Sequence, residues 1–268
     1  MSNRSKVFAY TLAIVLGSTG VGAIGFAEGA IGQSVEDKKK EADRLLQQGA
    51  PQNSRQLTRL YIDLLKQGIQ QYQSGEFEAA IQTWEYLPKF SFSSSFSFLR
   101  EELPLELLGN AYLALNKYGK AIEYYEKSLM IARQKSNFIG EGRSSSGLGS
   151  AYFYMGDYTK AIKYYERYLE IVQSLKEKLK KGTAVGDLGL DYPQGEGIAL
   201  SNLGMAHKAL GNYDTAINYY EKSLFSTRER RDLPGEEKML LDIGDFYQDI
   251  GRYHKAIESY EKSLEIAR

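Results

Sequence analysis

The stretch Leu108-Gly-Asn-Ala-Tyr-Leu-Ala-Leu-Asn-Lys-Tyr-Gly-Lys-Ala-Ile-Glu-Tyr-Tyr-Glu-Lys-Ser-Leu129 returns, altered but legible, as Leu148–Leu169, Leu203–Leu224 and Ile243–Leu264. A worn copy, Gln67–Pro88, precedes them. One glycine anchors each copy, at Gly68, Gly109, Gly149, Gly204 and Gly244, in steps of 41, 40, 55 and 40 residues. The period is therefore about 40, with extra residues after the third copy. Self-similarity at such a period constrains the fold to a stacked repeat array.

Each copy carries two apolar patterns at helical spacing. In the second copy Leu105, Leu108, Tyr112 and Leu115 fall on one helix face. A second pattern, Tyr118, Ala121, Ile122, Tyr125 and Leu129, begins after Asn116. The turn between them holds Gly75, Gly156, Gly211 or Gly251 in the other copies, which suits a helix C-terminus that needs positive φ. The next residue, Glu76, Asp157 or Asn212, is a natural start for the second helix. Small residues at fixed places, such as Gly109 with Ala121 and Gly244 with Ala256, let the two helices approach closely. A single hairpin of this kind cannot bury its apolar face, so neighbours must stack.

Glycine, tyrosine three residues on, alanine twelve on and an aromatic sixteen on resembles the tetratricopeptide repeat (TPR) signature. Tyr112/Ala121/Tyr125, Tyr152/Ala161/Tyr165 and Tyr247/Ala256/Tyr260 carry it, and His207 stands at the tyrosine place in the fourth copy. The resemblance covers roughly residues 65–268 and implies an all-α fold: a right-handed TPR superhelix of antiparallel helical hairpins. Two departures, the 40-residue period and the missing closing proline after Leu129, Leu169 and Leu224, are similar to the long-helix repeats of kinesin light chains and large bacterial TPR proteins. Gly-Glu-Gly at 140–142 and 195–197 resembles cyanobacterial arrays that precede a caspase-like CHAT protease domain.

Composition narrows the function. The 268 residues contain 34 basic and 34 acidic side chains, and the mean hydropathy is −0.43, as in a soluble globular chain. Zero net charge argues against non-specific nucleic-acid binding, so no nucleic-acid partner is expected. The absence of cysteine excludes disulfides, thiolate metal sites and a cysteine nucleophile. No Walker loop, His-Glu-x-x-His or dinucleotide fingerprint occurs, and Ser144-Ser-Ser146 has no base at recognisable spacing. His207 reads as a packing histidine and His254 as an exposed one. Neither an enzyme nor a cofactor or metal site is expected.

The N-terminal residues 1–32 suggest export. Arg4 and Lys6 precede an apolar run from Val7 to Leu16 and small residues through Ala30, the pattern of a signal peptide cleaved after Ala27 or Gly32. An uncleaved membrane anchor is the rival reading, because Val7–Ala27 is long enough to span a bilayer. A buried core helix fits the glycine-rich run poorly. The expected location is periplasmic or secreted, or anchored by this segment, rather than cytoplasmic. No other membrane contact is expected.

Residues 33–52 form a leading helix and linker: Ser34-Val-Glu-Asp37 resembles a capping box, Gly49-Ala-Pro51 breaks the helix, and Asn53 or Ser54 caps the next. Residues 53–268 form about five repeats. In the atypical first one, Pro88 should end the second helix near Leu87. Phe90–Phe98 reads as a loop tucking its phenylalanines against neighbouring helices. In the insert at 176–194, the lysines at 176, 178, 180 and 181 extend a helix, and a loop follows from Gly182 to Pro193. The last repeat ends at Arg268 without a polar capping helix, so its apolar helix calls for a cover, a second copy of the chain among the candidates.

A binding face follows from helical geometry. Shifting two residues from the core stripe rotates by about 200°, which places 103, 106, 110 and 113 on the opposite side. In TPR arrays that side lines the concave groove, so the resemblance implies a groove offering Glu106, Asn110 and Leu113, then Arg143, Ser150 and Phe153. The later copies add Ser201, Met205 and Lys208, then Lys238, Asp245 and Gln248. Asn110 stands where long-helix TPRs hold a peptide backbone, and the lining lacks a dense cationic clamp. The expected function is a scaffold holding a protein or peptide segment. The alternatives are a truncated regulatory array with its effector on another chain and, further off, a cryptic enzyme or sensor.

Overall fold

A computed structural model describes residues 34–90, 97–182 and 192–268. Those residues form eleven α-helices and one 3₁₀ turn: α1 Val35–Gln47, α2 Ala50–Gln73, α3 Phe77–Trp84, the turn Leu87–Lys89, α4 Ser97–Ala114, α5 Tyr118–Gln134, α6 Phe138–Met155, α7 Tyr158–Lys180, α8 Tyr192–Ala209, α9 Tyr213–Glu229, α10 Leu233–Asp249 and α11 Tyr253–Ala267. The chain divides into two compact units, the first through Ala151 and the second from Tyr152. In the first, α1 to α5 pack in sequence, each on the next; in the second, α7 to α11 do the same. The expected α-solenoid of antiparallel hairpins is what each unit contains.

The two helices of a hairpin meet through a glycine and a ring. A methyl group on Gly109 would lie 2.6 Å from Cε1 of Tyr125, and one on Gly204 would lie 2.9 Å from the Tyr220 ring. Gly68 lies under Trp84 and Gly244 under Tyr260 in the same way. The aromatic sixteen residues after the anchor thus occupies the space that a Cβ would need. The alanine twelve residues on lies beneath: Ala80, Ala121, Ala161 and Ala216 are fully buried.

One turn closes every hairpin. Gly75, Gly156, Gly211 and Gly251 have φ between 74° and 88°, and Asn116 takes the same left-handed place at 58°. The following N–H donates to a carbonyl five residues back, as in Lys117 to Tyr112 at 2.9 Å and Arg252 to Tyr247 at 2.8 Å. This bond and the shorter one beside it (Gly75 N–H to Tyr72 O, 3.0 Å) define a Schellman turn. It also joins successive hairpins at Ser136 and Arg231, with φ of 52° and 54°. Asp157 caps the next helix by accepting from the Lys160 N–H, whereas Glu76 and Asn212 make no side-chain cap bond. The backbone turn already fixes the chain's entry, so the cap there is dispensable.

Several boundaries differ from the sequence reading. The capping box at Ser34 forms, with the Asp37 N–H donating to the Ser34 hydroxyl at 3.1 Å. Gly49, at φ 106°, starts α2, and Asn53 lies inside it, its amide donating to the Leu45 carbonyl at 3.2 Å. Proline is tolerated in the first turn, where its missing N–H has no helical partner to lose, so the helix starts ahead of Asn53. α3 stops at Trp84, short of Leu87, because Pro88 clashes with the carbonyl four residues back. α4 begins at Ser97, inside the expected loop, and carries Pro104 within it. Phe90 is buried against Tyr61 and Tyr86, as expected of that segment, while residues 91–96 lie outside the described residues. α7 runs to Lys180 as the lysine run suggested, and α8 already includes Tyr192 and Pro193. The loop 183–191 lies outside the described residues. So does the N-terminal segment 1–33, and among the described residues no helix is long and apolar enough to cross a membrane.

The glycine–ring contact gives a signed test. Gly109→Ala should destabilise the protein by about 1–3 kcal/mol through overpacking. Gly119→Ala, whose added methyl meets nothing within 4 Å, should instead stabilise it by about 0.4–1 kcal/mol. Chemical denaturation of both variants checks this; two changes of the same sign would contradict it.

Candidate partner-binding surface

The twelve residues of the expected groove stripe divide between the two units. In the first, Glu106 is buried, 3 % exposed, and not presented to solvent. The Arg143 guanidinium lies 3.3 Å from its carboxylate, yet neither Glu106 oxygen makes a hydrogen bond among the described residues. Burial pushes the Glu106 carboxyl up to about 7; Arg143 pulls it down, and Glu102 one turn away pushes it further up. Glu102 is itself fully buried, held by the Asn137 amide at 2.6 Å. Ser144, also buried, donates its hydroxyl to Ser128 at 3.0 Å. This stretch of α4 and α6 is a polar core. Glu106, expected on the groove side, is covered, with Leu103, Leu107 and Leu108 buried beside it on α4, while Arg143 is half-buried. Asn110, half-buried, accepts a 2.6 Å hydrogen bond from the Tyr125 hydroxyl. Leu113 is half-buried, and the half-buried Ser150 donates to the Ser146 carbonyl at 3.1 Å.

In the second unit the stripe comes together. Phe153, Met205, Lys208 and Asp245, from α6, α8 and α10, line a concavity of about 350 Å³ with Ala209, Tyr220 and Asp242. Met205 is 36 % exposed. Lys208 is paired with Asp249, and Lys238, at 2.6 Å, with Asp242. Asp245 and Gln248 both accept from the Tyr260 hydroxyl, at 2.8 and 3.0 Å. Ser201 is buried. Ala209 and Asp242 stand four residues beyond Met205 and Lys238, and a stripe drawn one residue wide misses that neighbouring row. Tyr220 reads as core from its place in the repeat and is indeed 3 % exposed.

Aromatic pairs recur from repeat to repeat. Tyr112 stacks on Tyr124 at 5.3 Å and Tyr152 on Tyr164 at 5.6 Å. His207 stacks on Tyr219 at 5.4 Å, so it packs as expected in a tyrosine slot. Its Nδ1 is buried without a hydrogen bond among the described residues, and burial lowers its pKa. His254 is exposed.

Hairpins stacked in sequence, with an amphipathic concavity and a repeat-wide glycine–aromatic seam, define a helical-repeat interaction scaffold. Tetratricopeptide repeat family models match residues 103–135, 143–174 and 195–268, and the chain is a tetratricopeptide repeat protein. BtubC (BKLC) from P. vanneervenii is similar in structure at TM-score 0.62 and 18% identity, over 88% of this chain and 92% of that one. Kinesin-light-chain-type, nearly identical TPR-like repeats of Podosopora anserina give TM-score 0.58 at 18% identity, over 76% and 93%. A Rap protein complexed with competence and sporulation factor gives 0.61 at 14%, over 98% and 73%. At these identities the likeness concerns the fold. No curated protein matches the sequence.

The buried carboxylate has a pH consequence. The Glu106 value in the folded chain lies above its ordinary 4.5, so stability from its protonation is full below about 4.5 and lost as pH rises through about 7. Glu106→Gln, uncharged at every pH, should therefore gain in melting temperature relative to the parent between pH 6 and pH 8. A difference that stays flat over that range would contradict the assignment.

Proposed function

We propose that the protein is a docking scaffold whose second unit holds a peptide or an extended protein segment in the concavity between α8 and α10. One observation carries this reading: four stripe residues, chosen for facing away from the hairpin core, converge there on one hollow with exposed Met205 at its wall. A hollow of this size, apolar on one side and charged on the other, accommodates a few side chains rather than a folded domain. The scaffold contributes positions fixed on helices, so little ordering on its side opposes binding. The Rap protein's structure with competence and sporulation factor adds a case of a related fold in complex.

The same reading places this docking outside the cytoplasm or at a membrane, on the strength of the apolar run after Arg4 and Lys6. An exposed apolar stripe on α11, with Tyr253 at 65 %, Ile257 at 54 % and Leu264 at 53 % exposure, supports self-association as an accompanying property.

Two measurements test the reading. Met205→Arg should weaken binding to an immobilised peptide array by about tenfold, while Met130→Arg, at a more exposed methionine in α5, should leave it unchanged. Equal effects would remove the concavity from the account. Cell fractionation should find the chain in the membrane or beyond it, and a soluble, full-length cytoplasmic form would overturn the export reading.

A further inference from the structure

The tyrosine sixteen residues after the anchor glycine needs an acceptor for its hydroxyl, and the residue just after that glycine supplies it. Asn110 does so for Tyr125 at 2.6 Å, and Asp245 for Tyr260 at 2.8 Å. In the fourth repeat this place is Met205, which offers no oxygen, and the Tyr220 hydroxyl makes no hydrogen bond among the described residues. The Tyr220 ring is buried, while its hydroxyl, with no protein acceptor among the described residues, is left to the concavity that the residue lines. Burial raises its pKa, and the next causes are the charges of Asp242, Asp249 and Asp245. The hydroxyl therefore sits in the field of the α10 carboxylates, two of which line the same concavity.

Charge is unbalanced there. Lys208 neutralises Asp249 and Lys238 neutralises Asp242, but no cation pairs with Asp245 among the described residues. The opposite wall is apolar, formed by Phe153, Met205 and Ala209.

We propose that this concavity selects a peptide segment in which an apolar side chain is followed by lysine or arginine: the apolar group covers Met205 and Phe153, a backbone carbonyl accepts from the Tyr220 hydroxyl, and the cation meets Asp245. The proposal rests on the docking reading above and adds to it the chemistry of the partner. A hydroxyl that lines the concavity with no protein acceptor favours a ligand that supplies one. A surface carboxylate with no cationic partner favours a cationic ligand in a salt-dependent way.

The test uses the full chain and fluorescein-labelled hexapeptide pools that pair a mixed apolar position with arginine, glutamine or glutamate, read by fluorescence polarisation. The arginine pool should bind about tenfold tighter than the glutamate pool, with the margin shrinking as salt is raised. The variant Asp245→Asn should erase that margin. Asparagine still accepts from Tyr260, as Asn110 does from Tyr125, so packing is kept. Tyr220→Phe should weaken every pool by about fivefold. Equal affinity for the arginine and glutamate pools would overturn the partner chemistry while leaving docking intact. Tight binding that survives Met205→Arg would overturn the docking reading itself, and failure of all pools to bind would overturn both.

Discussion

Everything in this fold hangs on a ring lying where a Cβ would be. The anchor glycine at 68, 109, 204 and 244 surrenders helix propensity, about 1 kcal/mol relative to alanine, and the aromatic sixteen residues later takes the vacated space. At Gly109 and Gly204 that leaves less than 3 Å between an added methyl and the ring. Backbone and ring then meet at a separation no larger residue would permit. The left-handed turn at Gly75, Gly156, Gly211 and Gly251, with Asn116 in the second repeat, sets the angle at which the two helices come together. Seam and turn together make the hairpin rigid, and rigidity is what lets the outward stripe present side chains at fixed positions.

Because the ring is pinned over glycine, its hydroxyl is pinned too. The residue after the glycine must then accommodate a phenol, which links the core of a hairpin to its outer surface. Asparagine and aspartate meet that demand at 110 and 245, and methionine at 205 does not. A packing rule that serves stability in two repeats thus leaves a polar opening in the fourth, at the concavity. The first unit shows the opposite outcome: Glu102 and Glu106 fall on the corresponding stripe region but are drawn into the interior.

Much of this was legible in the residues themselves. The hairpins, the positive-φ glycines, the capping box at Ser34 and the lysine extension of α7 all follow from local rules of propensity and turn chemistry. Boundaries near proline did not: Pro51 and Pro104 sit inside first turns or helix bodies that the sequence suggests ending elsewhere. Of the residues on the stripe, Phe153, Met205, Lys208 and Asp245 line the concavity of the second unit. The burial of Glu106 was not legible, because which side of a helix is covered depends on neighbours distant in sequence, and a charged residue carries no local mark of being buried. Tyr220 was legible only as core. Its role at the surface depends on the absence of an oxygen at position 205, a relation visible once repeats are superposed in space.

The central claim is that α8 and α10 of the second unit hold a peptide segment. Hydrogen–deuterium exchange of the full chain, with and without the arginine-containing peptide pool at saturation, addresses it most directly. The account expects slowed exchange confined to the α8 and α10 segments around Met205 and Asp245, with α4 around Glu106 unchanged. Slowing centred on α4, or spread evenly along the repeats, would contradict it.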